Sequence, residues 1–199
     1  AEYSFLEQSF GALTTISICA GGVMGLPLVV SDYRSRHILK RYKVTPISPV
    51  LILLVQVAIY TIYAVLSLLL LFLAAKCFFK YQFRGSISGF LGGYILVIIS
   101  IFSIGMMVGG IAPNTKMAGV IASILYFPML IFSGATLPYE VMPPALQKAA
   151  DLLPMTQGIK LLKAASLGIK SETVLLSVIV MILIAAVCIG ISLKFFKWE

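Results

Sequence analysis

Charge is what this chain has least of. Asp, Glu, Lys and Arg make up 11% of its 199 residues, against roughly 25% in an ordinary soluble domain. The few charges also avoid five apolar stretches, 10–30, 50–75, 87–112, 117–132 and 173–196, where Lys194 near the end of the last is the sole exception. No Asp, Glu, Arg or His sits in the middle of a stretch, which argues against a proton or ion relay. No Gly-x-x-x-x-Gly-Lys-Ser/Thr run occurs, so ATP is not hydrolysed by that route. Histidine appears once, at His37, and cysteine three times, at Cys19, Cys77 and Cys188. Neither a zinc spacing nor a disulfide framework follows, and Cys19 and Cys188 read as small buried hydrophobes. Ser133 beside Gly134 has no base within reach, because His37 falls at the opposite surface, roughly 30 Å of hydrocarbon away. Glu140 and Asp151 adjoin no metal-like cluster. An enzyme is not expected.

What remains is apolar length. Hydrophobic residues make up 60% of the chain and mean hydropathy is +1.06. Crossing a bilayer core takes about 20 apolar residues as a helix, and backbone groups in hydrocarbon must be satisfied within the segment. Four stretches reach that length, and 117–132 must borrow from its flanks. The fold expected is all-α, a polytopic membrane helix bundle of about five spans forming one domain over 1–199. The first stretch is too long for a signal peptide and lacks its basic leader. The net charge of +8 suits loops facing anionic headgroups rather than nucleic acid. Basic residues divide eight to seven between the two sides, so the tight cluster Arg34, Arg36, Lys40, Arg41 and Lys43 marks the inner one.

That cluster lies in the loop 32–49. Ser31 and Asp32 suit a helix start, Lys40, Arg41 and Lys43 its end, and Pro46 closes the element after Thr45. The expectation is a short basic surface helix over 32–44, with Arg36, Lys40 and Lys43 on one face. Such a helix serves either as a lipid anchor or as a docking element. The loop 132–163 is broken by Gly134, Pro138, Pro143, Pro144 and Pro154. Between the breaks, Leu146, Ala149, Ala150 and Leu153 make an apolar face opposite Gln147, Lys148 and Asp151. Pro154 then stops this helix, Thr156 caps another, and Glu140 pairs with Lys148 or caps a helix start. Two readings stand: a re-entrant helical hairpin closing an outer gate, or an ordinary interfacial loop. Gly21/Gly25, Gly89/Gly93 and Gly105/Gly109 are small-xxx-small pairs for close helix approach. Phe78, Phe79, Tyr81 and Phe83, between Lys76, Lys80 and Arg84, read as an interfacial belt.

Taken together, the two loops resemble the permease subunits of the ATP-binding-cassette type-2 exporter family, in its drug-efflux branch. Tyr33, Arg34, Arg36, Leu39, Lys40, Arg41, Thr45, Pro46, Ile47 and Ser48 match the family's arginine-bearing cytoplasmic segment. Ser133, Gly134, Pro138, Glu140, Pro143, Leu153, Pro154 and Thr156 match its later signature around an outer loop. His37-Ile38 stand where many members carry Gly-Thr. The resemblance implies six spans, one of them preceding the stretch 10–30. It implies Arg34, Arg36, Lys40, Arg41, Thr45 and Pro46 as contacts to a separate ABC ATPase subunit that binds the ATP, with no cofactor on this chain. It also implies a second permease copy as homodimer or heterodimer, a lipid environment, and a multi-pass place in a bacterial plasma membrane. The function expected is export of a hydrophobic or amphiphilic compound. A non-transporting scaffold or immunity protein and a passive channel are the alternatives.

Overall fold

A computed structural model describes residues 4–198. Its elements are α1 (Phe5–Cys19), a π-helical segment (Ala20–Gly25), α2 (Leu26–Ser35), α3 (Ile38–Tyr42), α4 (Pro49–Phe79), α5 (Ile87–Ile111), α6 (Thr115–Phe132), a 3₁₀ turn (Tyr139–Val141), α7 (Pro144–Ala150), α8 (Pro154–Leu167) and α9 (Glu172–Phe195). The described residues contain no strand. Five helices are long and apolar enough to cross a membrane: Phe5–Ser35, Pro49–Phe79, Ile87–Ile111, Thr115–Phe132 and Glu172–Phe195. We call the end carrying Arg34 and Ala112 the basic face, and the end carrying Ser4 and Ser86 the opposite face.

Helix starts follow local chemistry. Ser4 and Glu7 form a reciprocal capping box, Glu7 N–H donating to Ser4 Oγ at 3.2 Å and Ser4 N–H to Glu7 Oε2 at 2.8 Å. Ser86, Asn114 and Ser171 cap α5, α6 and α9. Pro49 and Pro154 occupy the first helical positions of α4 and α8, where a missing N–H costs nothing. Pro154 thus starts a helix rather than stopping one. Thr156, expected as a cap, is buried inside α8, and the capping position belongs to Leu153.

The bundle is built around α5. Two thirds of its most apolar stretch (67%) is buried inside the protein, against 6% for α4, 17% for α6 and 22% for α9. It packs against α9, α2, the π-helical segment and α8, while α1 lies along α8. α4 leans on the first span by one side and exposes nearly everything else. The aromatic run before α5 divides accordingly. Phe78 and Phe79 are exposed, but Tyr81 is buried and stacks on Phe10 at 4.8 Å between centroids. Only part of the expected belt is a surface feature, because α4 ends at the left-handed Lys80 and turns Tyr81 inward.

Glycine sets the tightest contact. A methyl on Gly105 would stand 1.9 Å from the carbonyl oxygen of Gly22, and one on Gly109 would stand 2.8 Å from the Val30 side chain and 3.0 Å from the Pro27 backbone. The Gly105/Gly109 pair therefore serves packing within this chain. Gly105→Ala should force α5 off the first span and cost about 1–3 kcal/mol. Gly92→Ala, where a methyl meets nothing within 4 Å, should be neutral or stabilise by up to about 1 kcal/mol. Thermal unfolding of both variants in the same detergent checks the contrast; equal midpoints would dismiss the close contact.

Candidate functional site

On the basic face α2 runs on to Ser35, one turn further than the apolar stretch. Ser31 therefore sits inside a helix, its hydroxyl donating to Leu28 C=O at 3.1 Å, and caps nothing. The extension carries Arg34 into the protein. Its Nη1 donates to Gly109 C=O at 2.8 Å and Ala112 C=O at 2.7 Å, and its Nε to Lys197 C=O. The guanidinium lies 5.9 Å from the Phe196 ring centroid, and Lys197 N–H returns a bond to Gly110 C=O at 3.0 Å. A guanidinium is a planar fork of donors that is always charged, so it can hold the end of α5 and the tail of α9 at once. Arg34 is 4% exposed and is not a surface contact residue.

The remaining basic residues stay outside. Arg36 pairs with Asp32 at 2.9 Å, one turn back, and is exposed. His37 then adopts φ 54°, ψ 25°, the left-handed region that glycine enters most readily. This breaks the expected helix over 32–44, so Arg36, Lys40 and Lys43 do not share one helical face. After the break α3 makes little more than a turn. Leu39 anchors it, fully buried, with Lys40 and Arg41 exposed. The Thr45 hydroxyl and N–H both donate to Tyr42 C=O, at 2.8 and 3.0 Å. Thr45 and Pro46 are exposed in the turn that leads to α4.

At the other end the hairpin enters the bundle. Gly158 of α8 faces Thr15 of α1 and Val97 of α5, each ten residues below the start of its helix. At 1.5 Å per residue that is about 15 Å from the helix starts, so α8 folds back into the bundle between α1 and α5. Gly134 ends α6 in the left-handed region at φ +86°, and Pro138, Pro143 and Pro154 each begin an element or turn. Asp151 organises the hairpin. It accepts from the Tyr139 hydroxyl at 2.8 Å and pairs with Lys160 at 2.5 Å, while the Lys160 ammonium sits 4.5 Å from the Tyr139 ring centroid. Desolvation raises the Tyr139 pKa and the hydrogen bond to Asp151 adds to the effect, keeping the phenol a donor. Glu140, expected to pair with Lys148 or cap a helix, is exposed and does neither. The expected faces of α7 also change. Gln147 turns inward, its amide donating to Tyr139 and Met142 C=O at 3.0 and 3.1 Å, while Leu146 and Ala149 are exposed.

Sequence reasoning missed Glu7, Arg34 as a clasp, and Asp151. The Ser4-x-x-Glu7 box was the available signal for the first. Glu7 is buried and pairs with Arg84 at 3.2 Å, joining α1 to the segment before α5. Polar residues within the spans divide in use. Thr14 and Thr15 bond back to their own helix, Ser100 reaches Met181 C=O at 2.7 Å, and Gln56 donates to the Tyr33 hydroxyl at 2.9 Å. Beyond them lies a lateral groove of about 610 Å³ between α4, α5 and α9, walled by Leu53, Val57, Ile98, Phe102, Met106 and Leu193.

With this arrangement in place, comparison with known proteins is decisive for the family. Residues 2–194 match the family described as ABC-2 family transporter protein. The chain belongs to the ABC-2 transporter family. It is 33% identical over 94 residues to Nodulation protein J of Neorhizobium galegae, covering 47% of this chain and 34% of that protein. It is 34% identical over 80 residues to Nodulation protein J of Rhizobium leguminosarum bv. viciae, covering 38% and 31%. The matched part spans about a third of the length of these curated relatives. As an ABC-2 protein the chain is a multi-pass membrane protein, and the five helices supply its spans.

Two substitutions test the geometry of this ABC-2 chain. Arg34→Lys keeps the charge but not the fork, and should destabilise by about 1.5–3 kcal/mol, the worth of one hydrogen bond to a charged group. A cysteine at Lys197 should then react faster with maleimide than in the unaltered background; unchanged labelling would show that the clasp does not hold the tail. Gly134→Val places a β-branched residue in the left-handed region and should cost about 1–2 kcal/mol. A cysteine at Leu153 should become more reactive in that variant, and an unmoved thermal midpoint would remove the case for a strained turn.

Proposed function

We propose that this ABC-2 chain is the membrane permease of an exporter, driven by a separate ATPase subunit that binds and hydrolyses the ATP. The observation that carries the reading is the exposed basic α3, set between two spans on one face. Behind it stands the Arg34 clasp, and ahead of it Thr45-Pro46 and Pro49 make a stiff entry to α4. A push on α3 therefore reaches both flanking spans without first unwinding either. Arg36, Lys40 and Arg41 are the cations placed for acidic or carbonyl groups on the ATPase. Thr45 and Pro46 form the corner through which motion passes.

The cargo is a hydrophobic or amphiphilic compound, and the lateral groove supports this. Two of its hydroxyls are turned to their own helices, Thr61 donating to Val57 C=O at 2.8 Å and Ser103 to Ser100 C=O at 2.6 Å, and most of the wall left to its occupant is apolar. A second permease copy pairs with this one in the membrane. The hairpin of α7 and α8, with Gly134, Pro138, Glu140, Pro143 and Pro154 at its breaks, closes the far end of the path.

Coupling is tested by Arg36→Glu with Lys40→Glu. In inverted vesicles holding the permease and its ATPase, ATP-dependent uptake of amphiphilic dyes should fall at least tenfold. Membrane insertion should be unchanged. Full uptake with ATPase binding intact would reduce α3 to a lipid anchor.

A further inference from the structure

A second cavity lies beside the π-helical part of the first span. Over Ala20–Gly25 the helix widens to π geometry, a form that is rare and recurs at functional sites. Beside it lies a cavity of about 310 Å³, lined among others by Ser17, Gly21, Tyr60, Tyr63, Ser67 and Phe102. Ala20 and Ala64, both in the lining, are the midpoints of two 31-residue spans, so the cavity sits near the middle of the membrane. Its size is at the low end of ordinary ligand pockets.

The chemistry of the lining is specific. Ser17 and Ser67 bridge α1 and α4 through their hydroxyls at 2.9 Å, and each hydroxyl keeps a free lone pair. Tyr60 and Tyr63 pack edge to face at 5.9 Å. Neither phenol hydroxyl forms a hydrogen bond among the described residues. Tyr60 is held in place from behind, because a methyl on Gly25 would stand 2.6 Å from its ring. Tyr60 is half-buried and Tyr63 is 60% exposed at the rim, and an unpartnered hydroxyl facing hydrocarbon is costly. No Asp, Glu, Lys, Arg or His lines the cavity among the described residues, so a charged occupant would be left unpaired.

From these observations we infer that the cavity beside the π-helical segment is a binding site for an uncharged amphiphile bearing hydroxyl groups. Ser17 and Ser67 accept or donate at its floor, Tyr60 and Tyr63 at its mouth, and Phe102 covers its apolar part. The site does not rest on the transport reading and holds whether its occupant is cargo or a resident lipid.

Photolabelling of the full chain in phosphatidylcholine nanodiscs tests it, with diazirine-bearing diacylglycerol as the neutral hydroxyl probe and diazirine-bearing phosphatidic acid as the charged one. Diacylglycerol should label peptides of α1 and α4 around the cavity at least fivefold more than phosphatidic acid. Tyr60→Phe should lower that labelling about fivefold, the worth of one hydrogen bond, and Ser17→Ala with Ser67→Ala should lower it similarly. Gly21→Val, which fills the cavity from the helix side, gives a second route should the serine pair prove structural. Leu70→Ala, exposed on the same helix and outside both cavities, should change nothing. Equal labelling by both lipids, or labelling indifferent to all the cavity variants, would make the cavity an ordinary crevice and overturn the site. With the ATPase and ATP added, labelling that falls identifies cargo, and labelling that persists identifies a resident lipid; both support the site.

Discussion

The approach of α5 to the first span is the contact on which the remaining packing depends. In hydrocarbon there is no water to expel from between helices, so association rests on close van der Waals fit and on hydrogen bonds. Gly22, Leu26, Val30 and Arg34 recur every four residues and line one side of the first span. Gly105 and Gly109 give them a groove with no side chain in it. At the basic face the seam ends in the Arg34 guanidinium, which takes the carbonyls of Gly109 and Ala112. Gly109 thus belongs to both devices: its missing side chain admits Val30, and its carbonyl accepts from Arg34. Because α5 is fixed this way along one side, α8 and α9 can pack on its other sides.

A buried arginine needs such a position. Its charge is expensive away from water, and no carboxylate among the described residues meets it. Carbonyls at the end of α5 lack helical partners and carry the negative end of the helix dipole, so they are natural acceptors for a cation. The clasp meets two needs together, filling orphan acceptors and partnering the charge. The same logic at the opposite face is met by Glu7, which caps α1 with Ser4 and pairs with Arg84.

Much of the architecture was legible, and the failures share a cause. All five spans lie where apolar length puts them, because a bilayer imposes a single length scale on every helix. Boundaries moved where one residue type serves two purposes. Proline both ends helices and begins them, so Pro154 reads either way until Leu153 is seen in extended conformation at its cap. Arg34 is chemically indistinguishable from Arg36 and Arg41 in a linear cluster. Only the extension of α2 to Ser35 carries it inward, and the spacing of Val30 to Arg34 shows this once Gly109 is known to lie opposite. The two faces of α7 were misread because Gln147 can satisfy its amide inside a hairpin whose free carbonyls no sequence pattern displays. In the family resemblance, His37 in place of the usual glycine puts the local helix geometry in question, and its left-handed backbone is where the helix breaks.

That residue also bears on how the basic face can move. Arg34 and Leu39 are both buried, one fixed to α5 and the C-terminal tail, the other seating α3, and only four residues separate them. Between these anchors His37 holds a conformation costing about 1–2 kcal/mol for an L-residue. A displacement of α3 cannot be absorbed by sliding at either anchor without leaving carbonyls or a leucine exposed. The backbone around His37 is the element whose conformation can change at least expense, since leaving the left-handed region relieves strain. Arg34 and Leu39 thus fix the two sides of this turn, and the left-handed residue between them is the point where the backbone of the basic face is strained rather than held.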